Sequence, residues 1–167
     1  MIRVVVDDLA FVAADAIVRP STALLEPTTP GLRRLEQVGG AAFWEQARTE
    51  RELAVGSAVV TGGGALEVEL VIHAIIRSAT EPVTRDSVRR ALTAALQRAA
   101  DWHLAHLAVP LLGTGAGNLT LEDAADVMGG VLMAVPGPGG FPREVTIVVE
   151  NDEERQVVES YIRKTDT

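Results

Sequence analysis

Short apolar segments of strand composition alternate with longer segments of helical periodicity along most of the chain. The helical pattern is clearest between residues 84 and 102, where apolar residues such as Val88 and Leu92 recur at spacings of three and four. Alternating strands and helices pack as a sheet with helices on its faces. The alternation therefore predicts an α/β protein with α/β/α layers.

The predicted elements span the chain from end to end. Strands are predicted at 2–6, 16–18, 57–61, 68–76, 106–112 and 144–150. Helices are predicted at 31–38, 41–52, 84–102, 121–134 and 152–164. Thr84 is an expected helix cap, and Thr120 with Asp123 matches a capping box. Because no repeat or long linker divides the chain, we expect a single domain over 1–167.

A glycine-rich turn, Gly113-Thr114-Gly115-Ala116-Gly117-Asn118, joins a predicted buried strand to a predicted helix. Glycine lets successive N–H groups turn toward one point, and the start of the following helix adds partial positive charge. The turn is therefore predicted to hold the phosphates of a small nucleotide-like ligand. The alternative is a tight strand-to-helix turn with no ligand.

Two familiar nucleotide-binding motifs are excluded for this turn. A GxxxxGK[S/T] phosphate loop needs a lysine, which the turn lacks. A dinucleotide-binding fingerprint needs GxGxxG spacing and an acidic residue about 20 positions later, whereas the spacing here is GxGxG and the segment 133–139 has no carboxylate.

Charge and composition exclude several classes of partner. The net charge of −8 and the pI near 4.9 disfavour nucleic acid, although a helix start can still bind a small anion locally. There is no cysteine, and three histidines (His73, His103 and His106) are too few and too badly spaced for an obvious metal site, so neither a metal nor a cofactor is predicted. No apolar run approaches the ~20 residues that span a bilayer, and a cytoplasmic location is expected.

Four segments, in order, resemble the conserved segments of the macro domain family, whose members bind ADP-ribose and related molecules. They are Asp7-Asp8-Leu9 with Asp15-Ala16-Ile17-Val18, Gly56-Ser57-Ala58-Val59-Val60-Thr61, Val71-Ile72-His73-Ala74, and Val109-Pro110-Leu111-Leu112-Gly113-Thr114-Gly115-Ala116-Gly117. The resemblance covers nearly the whole chain. It implies a divergent, bacterial-type member with the three-layer α/β/α macro domain fold and a central mixed sheet.

The resemblance also implies roles for individual residues. Asp8 would accept a hydrogen bond from an adenine amino group, with the Leu9 N–H nearby, although Asp8 could equally be a turn residue. The turn residues Gly113, Thr114, Gly115, Ala116 and Gly117 would wrap the diphosphate and the ribose beyond it. The predicted ligand-binding set is completed by Thr22, Asn118 and Asn151.

The chain departs from the family pattern after the second strand. Where relatives read Asn-Ala-Ala-Asn, this chain reads Arg19-Pro20-Ser21-Thr22, and a segment with threonines and prolines (23–31) replaces a glycine loop. Thr22 lacks the paired donor and acceptor of the asparagine that positions water in hydrolytic relatives. Glu150 stands where many relatives have an aromatic residue that stacks on adenine.

Other polar side chains receive structural interpretations. Arg19, Glu26 and Arg33 are predicted to be solvated surface charges, the alternative being an arginine that pairs with a phosphate. His73 is predicted to lie in or near the core, and the other two histidines at the surface. No catalytic residue is assigned.

The sequence therefore predicts a module that binds ADP-ribose or a related nucleotide diphosphate, without the usual catalytic asparagine. One alternative is a hydrolase acting on ADP-ribosyl groups or O-acyl-ADP-ribose. Another is a scaffold that binds a protein, with a ligand cleft blocked by the Pro27–Pro30 segment. The expected partner is a small molecule, and neither nucleic acid nor membrane is expected.

Overall fold

The structure is a computed structural model that describes residues 1–115, 118–136 and 139–165. Six strands occur in these ranges: β1 (Ile2–Val6), β2 (Ala16–Thr22), β3 (Ala58–Gly62), β4 (Leu70–Arg77), β5 (His106–Pro110) and β6 (Glu144–Val149). They form one sheet in the order β1-β6-β5-β2-β4-β3. Neighbouring strands are parallel except at the edge, where β3 is antiparallel to β4. The predicted mixed sheet is confirmed.

The helices cover both faces of the sheet. They are α1 (Pro30–Gln46), α2 (Arg85–Asp101), α3 (Leu121–Leu132) and α4 (Asp152–Thr165), with a short 3-10 helix at Leu9–Phe11. The helices α2, α3 and α4 pack on one face, and α1 packs with the 3-10 helix on the other. The predicted α/β/α layering is therefore confirmed. Within the described ranges, none of the helices is long and apolar enough to cross a membrane.

Burial on both faces explains the long apolar run of β4. Ile72 and Ile76 belong to the core beneath α2, α3 and α4, whereas Val71 packs in the core beneath α1. All three side chains are fully buried. An inner strand with both faces covered by helices is expected to lack alternation of apolar and polar residues.

Helix starts follow the predicted caps. The Thr84 hydroxyl accepts from the Ser87 N–H at 2.9 Å, and the Ser87 hydroxyl accepts from the Thr84 N–H at 3.0 Å, which completes a capping box. The Thr120 hydroxyl accepts from the Asp123 N–H at 3.1 Å, but the predicted capping box is only half formed, because the Asp123 carboxylate pairs with Arg85 at 2.9 Å. The second cap fixes where α3 begins after the glycine-rich turn.

The largest differences from prediction are at α1 and β2, while other strand ends shift by one or two residues. The predicted helices 31–38 and 41–52 are one helical segment, α1, kinked at Gly40 (φ +71°) and ending at Gln46. Strand β2 continues past residue 18 to Thr22 despite Pro20. Its ladder with β4 reaches Thr22, while its ladder with β5 ends at Ile17, so the outer half of β2 needs hydrogen bonds on one side only.

Candidate ligand-binding site

Strands β2 and β5 diverge toward the carboxyl edge of the sheet. These strands pair only through Ala16 with Leu107 and Ile17 with Ala108. The chain leaves β2 toward α1 on one face and leaves β5 toward α3 on the other. Ligands of open α/β sheets bind outside the carboxyl ends of the strands at such a switch point. We name the region between segments 22–29 and 111–115 the carboxyl-edge crevice.

Backbone geometry explains the glycines of the turn at this crevice. Gly113 and Gly115 have φ values of +89° and +77°, a region that side-chain-bearing residues rarely occupy. A Cβ on Gly113 would also lie 2.9 Å from Leu119 Cδ1 and 3.1 Å from Val88 Cγ2. The core therefore requires glycine at position 113. Predicted residues Ala116 and Gly117 lie outside the described ranges.

Three backbone amides of this turn are unpaired among the described residues. Within the described residues, the N–H groups of Gly113, Thr114 and Gly115 have no hydrogen-bond partner, and the turn is closed instead by Leu119 N–H donating to the Gly113 carbonyl at 3.1 Å. Gly115 is exposed. Unpaired amides just before a helix can bind an anion.

Segment 22–29 forms the opposite wall and reaches the turn. A Cβ placed on Gly115 would come within 3.0 Å of Thr29 Cγ2. Thr29 immediately precedes the first residue of α1. Segment 22–29 thus approaches the glycine-rich turn through Thr29, while Gly115 itself remains exposed.

Thr22 closes a tight turn within that wall. Its hydroxyl accepts from the N–H groups of Glu26 at 3.1 Å and Leu24 at 3.3 Å, and its own N–H donates to the Glu26 carbonyl at 3.1 Å. Leu25, at the tip, has φ +62°. The hydroxyl of Thr22 thus already supports local structure.

Asp8 also has structural partners. One carboxylate oxygen accepts from the Ala10 N–H at 3.0 Å and caps the 3-10 helix, while the other lies 3.3 Å from Arg34 Nε. The Asp8 side chain remains 37% exposed, and each carboxylate oxygen can accept a second hydrogen bond. Leu9, the first residue of that 3-10 helix, is partly buried.

The two predicted asparagines lie at different places along the edge. Asn118 Nδ2 donates to the Val83 carbonyl at 3.1 Å, which ties the end of the glycine-rich turn to the segment before α2. Asn151 Oδ1 accepts from the Glu154 N–H at 2.9 Å at the start of α4. Asp8 and Asn151 follow neighbouring parallel strands, β1 and β6.

Arg19 is fully buried, so its predicted role as a solvated charge is wrong. Its Nη1 donates to Ser21 Oγ at 2.6 Å, and its Nη2 donates to the Leu25 carbonyl at 2.9 Å and to Glu36 Oε1. Because β2 extends past residue 18, Arg19 lies within a central strand beneath α1, which supplies the carboxylate. Burial lowers the pKa of Arg19, while Glu36 acts to raise it.

His73 lies beside this ion pair, and its predicted core position is confirmed. Arg19 Nη1 is 3.1 Å from His73 Nδ1. Since a guanidinium can only donate, Nδ1 is the acceptor, and Nε2–H donates to Thr61 Oγ1 at 2.7 Å. Burial first, and then the charge of Arg19, lowers the pKa of His73 from 6.5 to about 3.

The neutral state of His73 makes stability depend on pH. Unfolded chains bind a proton near pH 6.5 while the folded protein binds it only near pH 3, so folding stability is lost as pH falls through this window. We expect a contribution of about 1.4 kcal/mol per pH unit. Urea unfolding of wild type and His73→Gln between pH 4 and 7 measures it. Parallel curves for the two proteins would contradict the expectation.

The sequence analysis did not identify Glu36 as a buried residue, although the sequence contains a signal for its burial. Leu32, Leu35 and Phe43 form the buried stripe of α1, and Glu36 occupies the same stripe four residues after Leu32. A carboxylate on an apolar stripe indicates a buried cation in contact with it. Nothing local in the sequence identifies that cation as Arg19.

Two cavities lie elsewhere on the molecule. One of about 900 Å³ lies between α2 and α3 and includes the exposed ion pair of Arg85 and Asp126. No described residue of the predicted site lines it. A smaller cavity, about 260 Å³, adjoins Asn118 and also includes Arg77.

Comparisons with protein families and with solved structures both identify macro domains as similar to this chain. The model of the Macro domain family matches residues 33–128. An uncharacterised protein of Aeropyrum pernix is 29% identical over 98% of this chain and 86% of its own. The Trypanosoma brucei macrodomain in complex with ADP matches with TM-score 0.81 at 17% identity, covering 96% of this chain and 68% of that one. A mutant Oceanobacillus iheyensis macrodomain with ADPR matches with TM-score 0.72 at 17% identity, covering 96% and 91%.

Proposed function

Because this chain belongs to the macro domain family, we propose that it binds ADP-ribose or a related nucleoside diphosphate in the carboxyl-edge crevice. The observation that carries the proposal is the set of amides at Gly113, Thr114 and Gly115, unpaired within the described residues and placed before α3. Structural neighbours hold ADP and ADPR. The net charge of −8 does not oppose such binding, because the amides act over a short range.

In the proposed binding mode, the nucleotide lies along the edge from β1 toward β2. Asp8 accepts from the adenine amino group through an oxygen lone pair that Ala10 and Arg34 leave free. Asn151 flanks the nucleoside, since it follows the neighbouring strand. The pyrophosphate lies against the glycine-rich turn.

We propose binding without hydrolysis. The hydroxyl of Thr22 accepts from two backbone amides of its own turn, so it is committed to holding that turn. A threonine hydroxyl is also shorter than an amide side chain and carries donor and acceptor on one oxygen, not on two separate atoms that can hold a water molecule between them. Release of ADP-ribose from a modified protein at a rate well above the blank would contradict this part of the proposal.

Binding is tested by calorimetry and thermal shift with ADP-ribose and ADP. A Kd of about 10 μM would give about 2.7 kcal/mol of stabilisation at 1 mM ligand. For a chain of this length, that corresponds to a rise in Tm of roughly 5–10 °C. No heat and no shift with millimolar ADP-ribose would show that the ligand assignment is wrong.

A further inference from the structure

Arg19 connects three parts of the crevice wall from a fully buried position. Arg19 lies on β2, which leads directly into segment 22–29. Its Nη2 donates to the Leu25 carbonyl at 2.9 Å and also to Glu36 on α1. The guanidinium also lies 5.7 Å from the ring centroid of Phe43 on α1. One side chain thus links the strand, the turn after it and the helix that follows.

The turn held by Arg19 is constrained at its other end as well. An isolated bridge pairs Ser21 with Pro27, and Leu25 at the tip has φ +62°. Thr28 is 6% exposed, and Thr29 follows it directly. The path from the Leu25 carbonyl to Thr29 is therefore short and fixed at several points.

We infer that Arg19 is a positioning residue for the ligand crevice. Through Leu25 and Glu36 it sets the place of Thr29, whose Cγ2 would lie 3.0 Å from a Cβ on Gly115. The wall is thereby ordered before any ligand arrives. A wall that is already ordered removes the entropic cost of ordering it on binding. This inference rests on the proposed function for its effect on affinity.

The test replaces the whole ion pair by apolar side chains, as Arg19→Met with Glu36→Leu. Well-packed apolar replacements of a buried ion pair often preserve stability, because both desolvation penalties disappear together. The link to the Leu25 carbonyl is lost. We expect the Kd for ADP-ribose to rise about tenfold, and the Gly115 amide signal to shift in ¹H–¹⁵N spectra without ligand.

Leu92→Ala supplies the matched control for simple loss of stability. Leu92 is a fully buried residue of α2, on the sheet face opposite to Arg19, so its truncation destabilises the core on the other side of the sheet from the Arg19 ion pair. We expect wild-type affinity and a wild-type Gly115 amide signal. The measurements are made at a temperature at which every variant is folded.

A second variant covers the case in which the double replacement does not fold. Arg19→Lys keeps the positive charge opposite Glu36. A single ammonium group cannot make all the hydrogen bonds of the planar guanidinium to Ser21, Leu25 and Glu36, so we expect the Kd for ADP-ribose to rise about threefold. Wild-type Kd together with a wild-type Gly115 amide signal in the folded variant would overturn the inference. If wild type itself does not bind ADP-ribose, the proposed function fails, and the ligand-free Gly115 signal still decides whether Arg19 positions the wall.

Discussion

Replacing Gly115 by glutamate is expected to abolish detectable binding of ADP-ribose, a loss of about 100-fold or more. The residue has φ +77°, which disfavours any side chain, and its Cβ would lie 3.0 Å from Thr29 Cγ2. The new carboxylate would stand where the pyrophosphate is proposed to bind and would repel it at short range. Calorimetry with wild type and Gly115→Glu measures the change.

Gly140→Glu is the matched control for this substitution. Gly140 also has a positive φ, +81°, and nothing lies within 4 Å of a Cβ built on it. The variant therefore carries the same added charge and a comparable backbone penalty in the segment between α3 and β6. Its affinity is expected to equal that of wild type. If Gly115→Glu also bound normally, the glycine-rich turn would not be the phosphate site.

The sequence predicts most elements correctly because the signals for them are local. The stripe through Val88 and Leu92 marks α2, and the Thr84 and Thr120 caps mark the starts of two helices. The position of the glycine-rich turn between β5 and α3 follows from the same local patterns. Neighbouring residues alone specify these features.

Tertiary contacts override local preference at residues 47–52, where the predicted helix 41–52 ends early. Residues 47–52 favour a helix by composition, yet α1 ends at Gln46, whose side-chain oxygen accepts from the Gly62 N–H at 2.7 Å. Leu53 N–H then donates to the Ala23 carbonyl at 2.8 Å. The backbone contact between Leu53 and Ala23, just after β2, requires the chain to leave the helical path before residue 53.

The crevice wall could not be predicted from the sequence because its contacts join distant residues. Arg19 and Glu36 are 17 positions apart, and the approach of Thr29 to the Gly115 backbone joins segments that are far apart in the chain. A single arginine after an apolar strand has the local appearance of a surface charge. Only the extension of β2 to Thr22 places Arg19 beneath α1.

Glu36→Leu alone is expected to destabilise the protein by about 3–5 kcal/mol. The substitution leaves the Arg19 guanidinium buried without its carboxylate, and Arg19 Nε has no hydrogen-bond partner within the described residues even in the wild type. The desolvation cost of the cation is then no longer offset by an opposite charge. Urea unfolding at pH 7 measures the change.

Glu159→Leu provides the surface comparison. Glu159 pairs with Arg163 one helical turn away, at 3.5 Å, and the Arg163 side chain is 79% exposed. Water stabilises the arginine after the change, so a loss of about 0–1 kcal/mol is expected. A similar small loss in Glu36→Leu would mean that Arg19 reaches solvent or another anion when its partner is removed. A loss in Glu36→Leu that largely disappears when Arg19→Met is added would instead identify the stranded charge as its cause.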